Sequence, residues 1–120
     1  MPDRPRSVDR LLPLKPKVLH ILLALADGPR HGYSIMQEVA ARSDGRVRVW
    51  PAAMYGTLRE LEDLDWIAES EKRPDDDDER RRYFALTPLG KRVLTAEVAR
   101  LEAIVSRARA SRAFRRLGHA

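Results

Sequence analysis

The sequence contains no cysteine, and this absence excludes a disulfide framework, a thiolate zinc site and a cysteine nucleophile. Long hydrophobic runs are also absent. The longest apolar stretch, residues 18–26, is interrupted by His20 and spans too few residues to cross a bilayer. The N-terminus does not show the order of residues typical of a secretory signal. We therefore expect a cytoplasmic protein that has no membrane partner.

Residues suited to catalysis or metal binding are sparse. The three histidines, His20, His31 and His119, are scattered, and no two of them have a metal-ligand spacing. The acidic run at residues 75–79 lacks the glycine and the later glutamate of a calcium loop, and the sequence has no glycine-rich phosphate loop. These features predict a protein that is not an enzyme and that needs neither a cofactor nor a metal.

Charged residues, in contrast, are abundant. Of the 120 residues, 23 are Lys or Arg and 18 are Asp or Glu, so the net charge is +5. The length fits one domain, and the basic balance makes a polyanion a natural partner. Most of the excess positive charge lies in residues 88–120. The net charge alone therefore does not identify which basic residues would contact a polyanion, and the position of each one has to be considered.

Apolar periodicity predicts three short helices. The first runs from Lys17 to the turn at residues 27–29, the second spans residues 31–43, and the third spans residues 51–64. Gly45 supplies the left-handed stop that many helices need, and Pro51 fits the first turn of the third helix.

Residues 66–72 and 81–87 are the strand candidates. They flank a charged loop at residues 73–80, which predicts one β-hairpin. Thr87 and Pro88 then predict the N-cap and the first turn of a helix. This helix is expected to be long and unbroken, because neither proline nor glycine occurs between residues 91 and 117.

This order predicts a mainly α fold with a small β-hairpin, a winged helix-turn-helix followed by a long C-terminal dimerisation helix. In that plan the third helix enters a DNA major groove and the hairpin, or wing, contacts the adjoining backbone. The predicted units are a flexible N-terminal arm at residues 1–13, the winged helix-turn-helix at residues 14–87, and the dimerisation helix with its basic tail at residues 88–120.

The third helix offers one face to a nucleic acid if Met54, Leu58 and Leu61 point inward. On the opposite face we expect Tyr55, Thr57 and Arg59 to contact phosphates or base edges. The alternative is an ordinary amphipathic helix with a few small surface residues.

Three arginines, Arg80, Arg81 and Arg82, stand at the foot of the wing, directly after the acidic run. We expect them to contact phosphates while the acidic tip projects away from the DNA backbone. The alternative is a solvated turn in which the opposite charges neutralise one another.

The long helix carries the seam of a two-stranded coiled coil. Leu94, Val98, Leu101 and Val105 recur at steps of four, three and four residues. The seam predicts a homodimer, which doubles the contact with DNA. The arginines beyond residue 106 either contact DNA or keep the tail soluble.

Several short motifs occur together: residues 31–35 (His-Gly-Tyr-Ser-Ile), Tyr55 with Leu58 and Leu61, and residues 83–90 (Tyr-Phe-Ala-Leu-Thr-Pro-Leu-Gly). In this combination the sequence resembles the PadR-like transcriptional regulators over about residues 14–101. The resemblance implies a homodimeric winged-helix repressor that binds a double-stranded DNA operator and is released by a small, often aromatic, effector or another signal. It also implies that Tyr33 and Tyr55 face DNA and that residues 80–82 are the basic foot of the wing.

Two positions depart from the family pattern. Ala53 stands where a small hydroxyl residue is usual, and Asp65-Trp66-Ile67 replaces the usual Gly-Leu-Ile, although Asp tolerates a left-handed conformation. Trp50 and Trp66 are candidates for contact with an aromatic effector, and a place in the core is the alternative for each. The alternative function is a winged-helix protein-interaction module that meets an acidic protein and binds no operator.

Overall fold

The computed structural model describes residues 8–72 and 81–118. Its elements follow the chain as α1 (Pro16–Leu25), β1 (Arg30–His31), α2 (Gly32–Arg42), α3 (Pro51–Asp63), β2 (Ile67–Ser70), β3 (Tyr83–Leu86), α4 (Pro88–Ala110) and α5 (Arg112–Leu117). The predicted fold class is confirmed: three short helices are followed by a wing, here β2 and β3, and by a long helix.

Local chemistry explains where the helices begin and end. A proline occupies the first turn of α1, α3 and α4, where its missing N–H costs no helical hydrogen bond. The Thr87 hydroxyl accepts a hydrogen bond from the Gly90 N–H at 3.0 Å and so caps α4. After α2, Asp44 (φ 54°) and Gly45 (φ 76°) adopt left-handed conformations that turn the chain toward α3.

The sheet has three strands where the sequence predicts two. Its order is β1-β3-β2 with antiparallel pairing, and Arg30 of β1 faces Phe84 of β3. On the other side, Ile67 of β2 pairs with Leu86. A two-residue strand is too short to show any alternation in sequence, and its pairing connects the start of α2 to the wing.

The core lies between the three short helices, the sheet and the first half of α4. Met54, Leu58 and Leu61 point inward from α3, as predicted. They pack with residues of every neighbouring element, among them Ile21, Leu22, Ile35, Val39, Phe84 and Val93.

Part of the N-terminal arm packs against the core. Val8 is buried, and Leu12 and Leu14 pack against the core cluster. The Leu14 N–H also donates a hydrogen bond of 3.0 Å to Oε2 of Glu97 on α4. The predicted flexible arm at residues 1–13 is therefore wrong for residues 8–13, because their apolar side chains cover the adjoining helices. Residues 1–7 lie outside the described part of the chain.

The long C-terminal helix is interrupted at Ser111. This residue is extended (φ −81°, ψ 127°), and its hydroxyl accepts a hydrogen bond from the Phe114 N–H at 3.2 Å. Serine side chains compete with helical hydrogen bonding in this way, so α4 ends and α5 begins. The prediction of one unbroken helix to residue 117 is wrong at this point.

Glu97 is a buried charge that the sequence analysis did not single out. Its side chain is 1% exposed, and Nε of Arg100 donates to its Oε1 at 2.7 Å. The hydrogen bond from Arg100 is the largest effect on its pKa, which lies below the usual 4.5 although burial acts in the opposite direction. The N–H of Leu14 lowers the pKa of Glu97 further.

This lowered pKa predicts a pH-dependent stability. The ionised Glu97 stabilises the fold above pH 4.5, the ordinary value, and the contribution is lost as the pH falls through the lower folded-state pKa. We expect Glu97→Gln to lower the free energy of unfolding at pH 7 by about 1–3 kcal/mol. Urea unfolding from pH 7 down to pH 3 should show this difference shrinking in acid. Glu102→Gln, an exposed change on the same helix, is the control, and a deficit that is independent of pH would contradict the assignment.

Candidate nucleic-acid interface

The outer face of α3 is open to solvent near the start of the helix. Tyr55 and Arg59 are exposed, as predicted, and so are the small residues Ala52, Ala53 and Gly56. Arg59 forms no ion pair with a described residue. Small side chains let a helix backbone approach a groove closely, while the tyrosine and the arginine supply hydrogen-bond donors.

Tyr55 also closes the gap between α3 and α2. A Cβ atom built on Gly32, the first residue of α2, would lie 3.1 Å from the Tyr55 hydroxyl oxygen and 3.3 Å from two ring carbons. Because Gly32 has no side chain, there is room for the Tyr55 ring to pack against the start of α2. Tyr33, the next residue along α2, is exposed, as Tyr55 is.

Thr57 does not face solvent, and the expectation that it lies on the outer face is wrong. Its residue surface is 4% exposed. The reason is helical spacing: Thr57 lies three residues after Met54 and four before Leu61, which puts all three on the buried face. The signal for burial is therefore present in the sequence, as the spacing of Thr57 from Met54 and Leu61.

The foot of the wing is only partly described, since Arg80 lies outside the described residues. Nη1 of Arg81 lies 3.1 Å from Nε2 of His31. Because His31 belongs to β1 and also caps α2 by accepting a hydrogen bond from the Ser34 N–H, Arg81 is held beside the beginning of that helix.

Arg82 is committed to contacts within the chain. Its Nη2 lies 3.3 Å from a carboxylate oxygen of Glu62 and 3.1 Å from one of Glu69. Its guanidinium carbon also lies 5.0 Å from the centre of the Phe84 ring. Arg82 thus ties the wing to the end of α3, and its charge is shared with two carboxylates.

The segment that leads into α3 adds two cations that the sequence analysis missed. Val47 and Val49 pack inward, so Arg46 and Arg48, which alternate with them, are exposed. Neither arginine forms an ion pair with any residue in the described ranges. The alternation of charged and β-branched residues was the signal that could have identified them.

The two tryptophans occupy different environments. Trp50, immediately before α3, is 68% exposed, whereas Trp66 is 6% exposed and belongs to the core cluster. Trp66 also lines a cleft beside α3 whose lining residues do not include Trp50. The structure therefore does not bring them together as two walls of one effector pocket. Trp50 is instead exposed to solvent at the N-cap of α3.

The residues of the proposed coiled-coil seam are buried in the first half of α4 and mostly exposed in its second half. Leu94 is buried in the core of its own chain, so its expected place at a dimer interface is wrong. The reason is that the first half of α4 packs on α1, and the buried residues of α4 all lie at or before Glu97. Beyond that point Val98, Ile104 and Val105 are exposed, and Leu101 is half-buried.

These elements define a winged helix-turn-helix. The second and third helices meet through Gly32 and Tyr55, and the wing lies against α3 through Arg82. A third helix with an exposed, hydrogen-bonding outer face and a wing beside it is the arrangement with which this class of protein reads a DNA major groove. Within the described ranges, no helix combines the length and the apolar character that a membrane span requires.

Comparison with known proteins identifies the family. The model of the transcriptional regulator PadR-like family matches residues 21–96. The chain belongs to this family of DNA-binding transcriptional regulators, and the resemblance seen in the sequence is confirmed.

Solved structures agree with this assignment. A PadR family transcription regulator from Clostridium difficile R20291 is similar with a TM-score of 0.64 at 22% identity, over 77% of this chain and 93% of that one. RosR from H. salinarum is similar with a TM-score of 0.61 at 25% identity, over 91% of this chain and 90% of that one.

The curated relatives are uncharacterised. A 37.1 kDa protein in transposon TN4556 of Streptomyces fradiae is 40% identical over 77 residues, which are 64% of this chain and 20% of that protein. The chain therefore spans about a fifth of the length of this relative.

Proposed function

We propose that this chain is a homodimeric, sequence-specific repressor that binds a double-stranded DNA operator in the cytoplasm and is released by a small-molecule effector. The observation that carries the proposal is the outer face of α3, where Tyr55 and Arg59 are exposed, together with the exposed Arg46 and Arg48 in the segment that leads into that helix. Membership of a family of transcriptional regulators supports the same function.

The distribution of charge assigns different tasks to the arginines. Arg46 and Arg48 precede α3 and have no ion pair among the described residues, so they suit phosphate contacts at the edge of a groove. Arg59 lies on α3 itself and suits a base edge such as guanine. Arg82 holds the wing against α3, which makes it a positioning residue for the interface.

The second half of α4 supports a homodimer. Exposed apolar residues there, Val98, Ile104 and Val105, follow the buried half of the same helix. Contiguous apolar surface of this kind marks a site of protein–protein contact. A two-fold axis through α4 would give the dimer two copies of α3, as a palindromic operator requires.

The test is a DNA-binding titration on the segment upstream of the protein's own gene at several salt concentrations. We expect affinity to fall steeply with salt, because each phosphate contact releases a counterion. Arg48→Ala should weaken binding to all sequences about equally and reduce the salt slope by about one, whereas Arg59→Ala should cost about 1–3 kcal/mol and relax the sequence preference.

Arg92→Ala is the matched control, since it removes the same charge from the exposed surface of α4. Affinity that does not change with salt, or an Arg59→Ala protein with an unchanged sequence preference, would contradict operator reading. Absence of DNA binding at low salt, together with capture of an acidic protein, would favour the alternative protein-interaction module.

A further inference from the structure

The start of α3 is both exposed and apolar. Trp50, the N-cap residue, is 68% exposed, and Ala52 and Ala53 in the first turn are exposed as well. Ala52 lies on the outer face of the helix, because the exposed residues Gly56 and Arg59 follow it at steps of four and three residues. The end of α3 that would enter a groove first therefore presents mainly hydrocarbon surface.

The position of Trp50 is not explained by the stability of the helix. An N-cap residue is ordinarily Ser, Thr, Asp or Asn, whose side-chain oxygen accepts a hydrogen bond from the first turn. The Trp50 side chain forms no such bond, whereas α2, α4 and α5 are capped by His31, Thr87 and Ser111. The indole also lies outside the core cluster. It is therefore available for a contact outside the chain.

The charges around this apolar surface favour a nucleic acid as the partner. Residues 45–59 contain three arginines and no Asp or Glu. The three, Arg46, Arg48 and Arg59, are exposed, and none of them forms an ion pair with a residue that the structure describes. An apolar protein surface placed here would remove these cations from water without supplying a counter-charge, which is unfavourable. Phosphates on both sides of a groove supply that charge.

The apolar character of the first turn also selects the kind of base edge that it fits. In the major groove, adenine, guanine and cytosine are distinguished by their hydrogen-bond donors and acceptors, whereas thymine also presents a methyl group. The side chains of Ala52 and Ala53 have no hydrogen-bonding group, so they cannot bond to a donor or an acceptor on a base. They can pack against a thymine methyl group, and the Trp50 indole can do the same.

We propose that Trp50, Ala52 and Ala53 contact thymine methyl groups in the major groove, so that each operator half-site carries thymine where the start of α3 lies. This inference rests on the proposed function, because it names the bases that the DNA-reading surface prefers. It also gives a consequence to Ala53, which stands where a small hydroxyl residue is usual in the family. An apolar contact with the base replaces the hydrogen bond that a hydroxyl would form.

The test compares thymine with deoxyuridine, which lacks only the methyl group. The DNA segment upstream of the protein's own gene is shortened by footprinting to the protected site, and each thymine of that site is replaced in turn. Titration with the full chain should show about fourfold weaker binding at each contacted thymine, the value of one buried methyl group. Replacement of thymines outside the protected site should leave the affinity unchanged.

Two variants assign the methyl contact to α3. Trp50→Ser introduces a favourable N-cap residue and should fold at least as stably as the wild type, yet the ratio of affinities for thymine and deoxyuridine should fall toward one at the base that Trp50 contacts. Ala52→Gly should do the same at its own base, and its effect on the helix cancels because it is equal with both DNAs. Ala41→Gly, an exposed change on α2, is the matched control and should keep the wild-type ratio.

The outcomes separate this inference from the proposed function. Equal affinity for thymine and deoxyuridine at every position would overturn the inference, while the DNA binding itself would still support the proposed function. A wild-type ratio in both Trp50→Ser and Ala52→Gly would also overturn it, because the methyl groups would then be read elsewhere. A Trp50→Ser protein with altered self-association and an unchanged ratio would show that a second copy covers this surface. If the chain binds no DNA at low salt, the proposed function and this inference both fail.

Discussion

Val105→Asp should be monomeric at concentrations at which the wild-type protein is a dimer. Val105 is 48% exposed in the single chain and lies on the half of α4 that carries no buried residues. The substitution therefore leaves the folded monomer nearly unaffected, but it places an unpaired carboxylate inside the proposed interface. An uncompensated buried charge costs about 3–5 kcal/mol, which predicts a dimer dissociation constant at least about a hundred times larger.

Sedimentation over a concentration series measures the effect, with circular dichroism as the check that the monomer is folded. Ser106→Asp is the control, since it introduces the same charge at the neighbouring helical position outside the seam. DNA affinity should fall together with dimerisation, because one subunit reads only one half-site. A Val105→Asp protein that dimerises as tightly as the wild type would show that the interface lies elsewhere.

The sequence was most informative where one physical signal dominates. Helices α1, α2 and α3 were predicted to within a few residues, because dense apolar spacing is bounded by Pro51, Gly45 or a turn. The wing was predicted from alternation on both sides of a charged loop. Exposure of Tyr55 and Arg59 followed from the same helical period that buries Met54 and Leu58.

The rest depends on contacts between distant parts of the chain. β1 is too short for any period and exists through its pairing with β3. Glu97 is stabilised in the interior by Arg100 and by the N–H of Leu14, and the partner Leu14 lies 83 residues away in the sequence. The burial of Leu94 depends on how far α4 lies over α1. A seven-residue repeat cannot distinguish a contact within one chain from a contact between two chains.

The candidate site was predicted only in part, for a related reason. Residue type suggested surface contact for Thr57, but its position along α3 buries it. Arg46 and Arg48, which form no ion pair with a described residue, are not identified from the sequence because their segment forms no helix or strand. Their exposure follows from the inward packing of Val47 and Val49, which alternate with them. Arg82 was correctly located in the wing, yet its two carboxylate partners, Glu62 and Glu69, become its neighbours only after folding.

The contact between α4 and the turn after α3 accounts for the Thr-Pro-Leu-Gly motif at residues 87–90. The Thr87 N–H donates to the Trp66 carbonyl oxygen at 3.1 Å, and its hydroxyl donates to the Asp65 carbonyl at 2.5 Å. Asp65 adopts a left-handed conformation (φ 63°) in the turn between α3 and β2. Gly90 packs directly on the Trp66 backbone, and a Cβ atom at position 90 would overlap the carbonyl oxygen of Trp66.

Gly90→Ala should therefore lower the free energy of unfolding by about 3 kcal/mol, because neither backbone segment can move without losing the Thr87 hydrogen bonds. The sign is diagnostic, since glycine to alanine in a helix interior ordinarily stabilises by about 1 kcal/mol. Gly56→Ala is the matched control: position 56 is helical and exposed, and a Cβ there meets nothing within 4 Å. Urea unfolding of both variants at one protein concentration should show opposite shifts from the wild type. A Gly90→Ala protein as stable as Gly56→Ala would contradict the close contact between α4 and Trp66, and with it the physical reason for glycine at the end of the motif.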